Sequence, residues 1–430
     1  MEKITVEKSI HRRKISHPGW IYAALGTAWR LFVYPKYHVH YTFKKDFRRE
    51  KGPFFFISNH ASRLDYIFVG APLLPLRMNF VAGYNEFHRS HLSLVFRLLG
   101  VIPKKNFTPD LYTVKEISRV IKSGHGVCIF PEGMSSISGG NQPVALGTGK
   151  LFKHHKVPVY YSVIRGGYLT SPKYNLRDRP GYVEVEFDQL FTPEDLERLT
   201  PAEIEDKINR AIHHDDYAWN KIQGHHYAIG ENGAEDLEDL LFWCPRCGRQ
   251  HTMATKGNTI FCRECGNGAT LLDTYELVPF DDTCVIPETQ TEWFRQERAL
   301  IREEVRREDF ALEQPVRLGI LPDYGLLKNQ ATSQIVGSGT LRLDRTGLTY
   351  TGTRNDAPYT FHLPATALPT YGMCTDLSRF YTFVNGEFVE FYPEQRVVEK
   401  FFLATEEIHR QTGGKWKDFN FTPEEAGVTG

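Results

Sequence analysis

Nowhere in its 430 residues does the chain hold the roughly 20 consecutive apolar residues that a membrane-spanning helix requires. It also lacks the charged, apolar and small-residue succession of a cleavable signal peptide, so it is expected to be made and kept in the cytoplasm. Neither sign of charge is in excess, with 52 Lys and Arg against 52 Asp and Glu. Internal repeats and long low-complexity tracts are missing, which sets aside repeat architectures. A phosphate loop is missing as well. Gly147-Thr148-Gly149-Lys150 resembles the end of one, but Val144 stands at the first required Gly and Leu151 follows the lysine. The adjacent pairs His154-His155 and His213-His214 point in different directions on a helix and carry no clear set of partner ligands, so no metal is expected there. What remains is ordinary soluble composition, 41% hydrophobic and 24% charged, with room for two or three domains.

The first positive signal is Asn59-His60-Ala61-Ser62-Arg63-Leu64-Asp65, directly after the apolar run Phe54 to Ile57. Five residues turn an ideal helix through about 500°, so His60 and Asp65 can meet only if an irregular loop around Asn59 to Ser62 precedes the helix. With Asp65 accepting from one ring nitrogen, the other is left unprotonated and can take a proton from a hydroxyl. Alone, the pair also reads as a polar loop capping a helix. A second strand-like run, Val127 to Phe130, ends in Pro131-Glu132-Gly133 and brings another carboxylate to a strand end. Between and beyond these lie strand patterns at Asn79 to Ala82 and Val157 to Val163, and helical patterns at His91 to Leu99 and Thr148 to His155. Such alternation predicts an α/β layer whose strand ends converge on one site.

Four ordered blocks, Asn59 to Asp65, Gly100 to Asn106, Phe130 to Gly133 and Val157 to Val159, resemble the glycerolipid acyltransferase family that includes 1-acylglycerol-3-phosphate acyltransferase. The resemblance covers roughly Phe54 to Phe191. It implies a mixed sheet flanked by helices, with His60 as general base, Asp65 as its orienting partner, and acyl transfer from a coenzyme A or acyl-carrier-protein thioester. Asn59, Ser62, Arg63, Lys104, Lys105, Glu132 and Gly133 are the expected substrate-binding residues. Glu132 would hold the acceptor's glycerol hydroxyls, and Gly133 would admit backbone N–H groups to a phosphate or oxyanion. The family usually carries an Arg shortly after Glu-Gly and another ending the second block. Here those places hold Ser135 and Asn106. Lys104, Lys105, Arg63, Arg165 and Lys173 are the cations left to receive an acceptor phosphate, although an ammonium lacks the fork geometry of a guanidinium.

Residues 1–40 read as an amphipathic membrane-interface segment. Gly19 to Leu25 and Trp29 to Tyr34 are rich in aromatic and large apolar side chains, and the first 50 residues hold 11 Lys and Arg against 4 Asp and Glu. A basic aromatic helix of this kind lies on an anionic leaflet, packs against the protein's own sheet, or does both with different faces.

Cys244-Pro245-Arg246-Cys247 and Cys262-Arg263-Glu264-Cys265 are two CxxC pairs, each followed by Gly. Four thiolates close a tetrahedral shell, so the expectation is a structural Zn2+ ribbon with no open position for catalysis. Its surroundings include Glu235, Asp236, Glu238 and Asp239, and only scattered basic residues, so nucleic acid is not the expected partner. From Val316 onward short alternating segments predict a small β-rich domain ending in a helix. Its element order is similar to the pleckstrin-homology or GRAM type, and lipid binding there rests on fold analogy.

The reading is thus α/β. An acyltransferase domain at 41–225 is followed by a linker at 226–240, a zinc ribbon at 241–280, a helical connector at 281–312 and the β-rich domain at 313–430. The expected activity is acylation of a lysophospholipid, 1-acylglycerol 3-phosphate to phosphatidate, by a peripheral protein on the inner face of the membrane. A catalytically inactive lipid-binding or scaffold protein on the same fold is the alternative.

Overall fold

A computed structural model describes residues 4–329, 331–374 and 376–416. Positions 1–3 and 417–430, at the ends of the two terminal units expected above, lie outside the described residues, as do 330 and 375.

The first sheet comprises β1 (Val39–Phe43), β2 (Phe55–Ser58), β3 (Met78–Gly83), β4 (Ile102–Lys104), β5 (Gly126–Ile129), β6 (Val159–Arg165) and β7 (Val183–Phe191), in the order β1-β7-β6-β2-β5-β3-β4. Strands β2 to β6 pair in parallel, β7 is antiparallel to β6, and β1 is parallel to β7. All four residues of β2 are buried, as suits a central parallel strand covered on both faces. Its pleat divides them. Phe55 and Ile57 share one cluster with Ile117, Val120 and Ile121 of the helix Leu111–Lys122 and with Phe152 of Thr148–His155. Phe56 faces the other way, into the cluster that holds Phe68 and Val69 of the helix Asp65–Gly70. Because β2 and β5 are parallel neighbours in register, Phe56 opposite Cys128 and Ile57 opposite Ile129, their carboxyl ends open onto the same place.

The second sheet is an antiparallel meander, β8 (Met253–Lys256), β9 (Thr259–Cys262), β10 (Gly268–Leu271) and β11 (Leu277–Pro279). The helix Gln290–Glu304 leads to the third sheet, made of β12 (Ala311–Ile320), β13 (Gln334–Asp344), β14 (Gly347–Arg354), β15 (Ala357–Pro364), β16 (Gly372–Met373), β17 (Phe380–Val384) and β18 (Glu387–Pro393). It is antiparallel in the order β15-β14-β13-β12-β18-β17-β16, and the helix Val398–Gln411 follows.

These parts share their interior. One hydrophobic cluster runs from Phe56 and Tyr168 through Leu237, Cys244 and Trp293 to Leu341, Phe391 and Phe402. The stretch 226–240, expected to be a polar linker, takes part: Tyr227, Ala234, Leu237 and Leu240 are buried. Its charges are used too, since Arg396 pairs with Asp236 and Asp239, each at 2.8 Å.

At the other end, the helix Trp20–Ala28 continues through a π-helical turn, Trp29–Val33, into Tyr34–Lys36. One side is anchored: Tyr22 and Tyr34 are buried, and Arg30 donates to the carbonyls of Ala71 and Pro72. Trp20, Leu31 and Phe32 remain 76%, 64% and 75% exposed. No helix among the described residues is long and apolar enough to cross a membrane.

Candidate active site

Strand β2 ends at Ser58 and the next helix begins at Asp65, so residues 59–64 form the irregular connection that the five-residue spacing requires. Asn59 pins its start by bonding as a strand would: its Nδ2 donates to the Ile164 carbonyl at 2.8 Å and its Oδ1 accepts from the Ile164 N–H at 2.7 Å. His60 Nδ1 then lies 2.8 Å from Asp65 Oδ2. Both Asp65 oxygens accept from the Ser62 N–H at 2.9 Å, and Oδ1 also accepts from Ser62 Oγ at 3.1 Å. These donors require an accepting carboxylate, which assigns the proton to His60 Nδ1. Among the described residues His60 Nε2 has no hydrogen-bond partner. The His60 ring is 24% exposed, against 1% for Asp65. Burial pushes the Asp65 carboxyl above its ordinary value, opposed by His60 and Ser62.

The end of β5 supplies the second half. The ring of Phe130 stacks on His60 at 4.6 Å between centroids, a contact whose only sequence signal is an aromatic next to Pro-Glu-Gly. Glu132 is buried, and its oxygens face the protein: Oε1 accepts from the His60 N–H at 2.7 Å and from Asn141 Nδ2 at 3.3 Å, and Oε2 accepts from the Gln142 N–H at 2.7 Å. Glu132 therefore grips the histidine's main chain, and its oxygens are engaged by the protein instead of by the acceptor's glycerol hydroxyls as expected. Burial pushes its carboxyl up to about 8, against the pull of those donors. The Ser136 N–H donates to the His60 carbonyl at 2.7 Å, closing the link between the two strand ends. Gly133 adopts φ +82, and a Cβ there would stand 3.2 Å from the Phe107 ring, so the position favours glycine. Its N–H donates to the Phe130 carbonyl within the turn.

The remaining expected residues disperse. Asn106 donates to the Gly133 carbonyl at 2.8 Å. Lys105 reaches away, to the Gly386 carbonyl at 2.7 Å and Glu7 at 3.4 Å. Burial lowers the Lys104 ammonium, partly offset by Asp110. Arg63 pairs with Asp178 at 2.7 Å, and Arg165 pairs with Glu184 at 2.9 Å. Lys173 alone among the proposed cations is fully drawn in. It is 5% exposed, and its Nζ donates to Ser135 Oγ at 3.0 Å.

A polarised imidazole at the carboxyl ends of parallel strands, its proton-accepting nitrogen uncommitted, can deprotonate a hydroxyl. Residues 38–165 match the Acyltransferase family model. A curated 1-acyl-sn-glycerol-3-phosphate acyltransferase of Cocos nucifera is 28% identical over 160 residues, 36% of this chain. The chain spans about half of that relative, 49% of its length. A solved structure, the 1-acyl-sn-glycerophosphate acyltransferase PlsC of Thermotoga maritima, aligns at 18% identity and a TM-score of 0.37, covering 45% of this chain and 78% of that one. The family match and the curated relative support an acyltransferase assignment for this part of the chain, and His60, Asp65 and Glu132 all fall within the matched residues.

Outside the acyltransferase match, Cys244, Cys247, Cys262 and Cys265 form a cluster able to hold a metal, their Sγ atoms all within 4.8 Å of one another. Cys244 and Cys265 are 3.6 Å apart and Cys247 and Cys262 3.8 Å, which suits a tetrahedral ion whose ligands at about 2.3 Å stand about 3.8 Å from each other. None of these cysteines is in a disulfide. Gly248 and Gly266, one after each pair, take φ +73 and +74 and turn the chain around the sulfurs.

Proposed function

We propose that the protein transfers a fatty acyl group from a coenzyme A or acyl-carrier-protein thioester to the hydroxyl of a lysophospholipid, foremost 1-acylglycerol 3-phosphate, yielding phosphatidate. The observation that carries this is the 2.8 Å contact of His60 Nδ1 with a buried Asp65 that leaves Nε2 uncommitted. In the proposed reaction Nε2 accepts the acceptor's hydroxyl proton as its oxygen attacks the thioester carbonyl. Asp65 stabilises the imidazolium that forms. The tetrahedral intermediate collapses with cleavage of the carbon–sulfur bond, and the leaving thiolate takes the proton back from His60. A thioester is already activated, so no nucleophile on the enzyme is needed and positioning carries most of the barrier reduction. Glu132, Asn59 and Ser62 act as positioning residues, holding the His60 main chain, the end of β2 and the Asp65 carboxylate.

The cysteine cluster is read as a structural Zn2+ site in a zinc ribbon. All four positions are filled by sulfur, so the ion would fold its own neighbourhood and leave the chemistry to His60. The protein is read as peripheral at the cytoplasmic face of a membrane, supported by exposed Trp20, Leu31 and Phe32 on a segment rich in positive charge. The test is transfer by the zinc-loaded protein from long-chain acyl-carrier-protein and acyl-coenzyme A to a panel of lysophospholipids and glycerol 3-phosphate. Phosphatidate from lysophosphatidate is the expected product. A folded, vesicle-binding protein that acylates nothing in the panel would favour the lipid-binding scaffold.

A further inference from the structure

Ala61, Arg63, Ser135, Ser136, Ser171 and Lys173 line a small, half-open pocket together with Pro172 and Leu176. Two of its walls come from the dyad loop and from the turn after Glu132, and the third comes from 171–176, a segment outside the matched residues. The polar lining is buried: Ser135 is 9% exposed, Ser136 4%, Ser171 7% and Lys173 5%. Arg63 stands at the mouth, oriented by Asp178 at 2.7 Å and by the Leu176 carbonyl at 2.8 Å.

Resting on the acyltransferase reading, we propose that this pocket receives the phosphate of the acyl acceptor, with Lys173 as the cation that makes the enzyme specific for a phosphate-bearing acceptor.

The charge state of the pocket calls for an anion. Among the described residues Lys173 Nζ has one acceptor, the neutral Ser135 hydroxyl, and no ion pair, which leaves two N–H donors unspent. An ammonium buried this way loses hydration without regaining it from a carboxylate. Burial accordingly pulls Lys173 down to about 8, and the more distant Cys374, Asp376 and Glu399 of the C-terminal part only partly oppose it. A phosphate oxygen at Nζ would supply the missing acceptor, with the Ser135 and Ser171 hydroxyls available as further donors.

The placement also answers a deficit in the sequence. Ser135 holds the position where an Arg is usual in the resembling family, and Asn106, at the other such position, is bound to the Gly133 carbonyl. The ammonium that touches Ser135 therefore puts a positive charge beside that position, delivered from a different stretch of chain. The neighbouring Ser136 N–H binds the His60 carbonyl, so an anion held here is indexed to the histidine through the backbone. Lysine being a point charge without a fork, selection should rest on charge more than on oxygen geometry.

The experiment compares full-length, zinc-loaded wild type with Lys173→Met, Lys173→Arg and Arg63→Met, each checked for wild-type thermal stability, on lysophosphatidate and on neutral monoacylglycerol. The expected result for Lys173→Met is a KM for lysophosphatidate raised about 10- to 100-fold with kcat within threefold and the neutral acceptor unaffected. Lys173→Arg should recover most of the loss. Arg63→Met, on the exposed rim and safe for folding, should raise the same KM severalfold. Unchanged lysophosphatidate KM in stable Lys173→Met would overturn the pocket while leaving the acyltransferase reading intact. If Lys173→Met does not fold, Arg63→Met decides by the same criterion. If wild type acylates neither acceptor, calorimetric titration with glycerol 3-phosphate separates the two ideas: binding abolished by the Lys173→Met or Arg63→Met change sustains the anion pocket, and no binding to wild type refutes it.

Discussion

His60 is useful because its two nitrogens have been made different. The buried Asp65 holds Nδ1–H and is itself held by Ser62, so the carboxylate cannot turn away from the ring. Asp65→Asn keeps the shape but offers an N–H where the ring needs an acceptor, favouring the wrong tautomer. Its kcat should fall about 10³-fold with little change in melting temperature. Steady-state kinetics beside a thermal melt check this, and a fall of less than tenfold would remove Asp65 from the mechanism. Glu132 makes a separate prediction about pH. Its carboxyl lies at about 8 when folded against 4.5 as the ordinary value, so the folded state holds more protons than the unfolded state between those pH values. The contribution from this group is thus fully present below about 4.5 and is lost as pH rises towards 8. Glu132→Gln abolishes that dependence, so its melting temperature minus that of wild type should climb steadily from pH 5 to pH 8. A flat difference would contradict the assignment. The sequence made the dyad legible because a strand end fixes where a loop must be. It did not reveal Lys173 over Arg165, since which cation is buried depends on the packing of 171–176.

At the scale of elements, the cysteine pairs illustrate what spacing alone can tell. Two knuckles joined by the β8–β9 hairpin bring four sulfurs together, because Gly248 and Gly266 turn the chain back and Gly257 takes φ +61 between the strands. The protein should purify with one zinc per chain. Strong chelation, or Cys247→Ser at the most exposed ligand, should lower the melting temperature by several degrees while the far-ultraviolet signal of the first sheet persists. Stoichiometric metal analysis and a melt in chelator read this, and a protein indifferent to chelation would carry no structural ion. Other elements escaped the sequence reading for physical reasons. Strand β15 has no fully buried residue; its inward stripe is Tyr359, Phe361 and Leu363, half-buried against the core, and Pro358 and Pro364 bracket the run and weaken its strand signal. Strand β1 likewise has no fully buried residue: it pairs with β7, and Val39 and Phe43 pack half-buried on the core, Phe43 stacking on Phe187 at 4.7 Å.

At the scale of the molecule, the sequence divides more sharply than the structure does. Polar composition marks 226–240 as a linker, yet its apolar minority, Tyr227, Ala234, Leu237 and Leu240, fills the cluster common to all three sheets. Composition averages over positions, whereas burial selects among them. Farther along, Arg298 of the connector helix meets Glu406 at 2.7 Å inside the same body, and Arg302 meets Glu407 at 2.9 Å, fixing the last helix. Trp20, Leu31 and Phe32 of the N-terminal helices lie exposed outside this common interior, as do Leu94 and Leu98 of the helix Ser90–Leu98. Replacing Trp20 and Phe32 together by Ser should weaken sedimentation with anionic phospholipid vesicles about tenfold or more and leave the melting temperature unchanged. Equal sedimentation of the double variant would refute a membrane contact through this face of the N-terminal helices.

The most direct test of the central claim is the initial rate of acyl transfer to lysophosphatidate by wild type and His60→Ala, both folded, with the product identified by mass. The account predicts phosphatidate from wild type and a loss of about 10³-fold or more in His60→Ala. Equal rates in the two proteins would show that the proton is taken by another group, and the mechanism argued from the His60–Asp65 pair would be wrong.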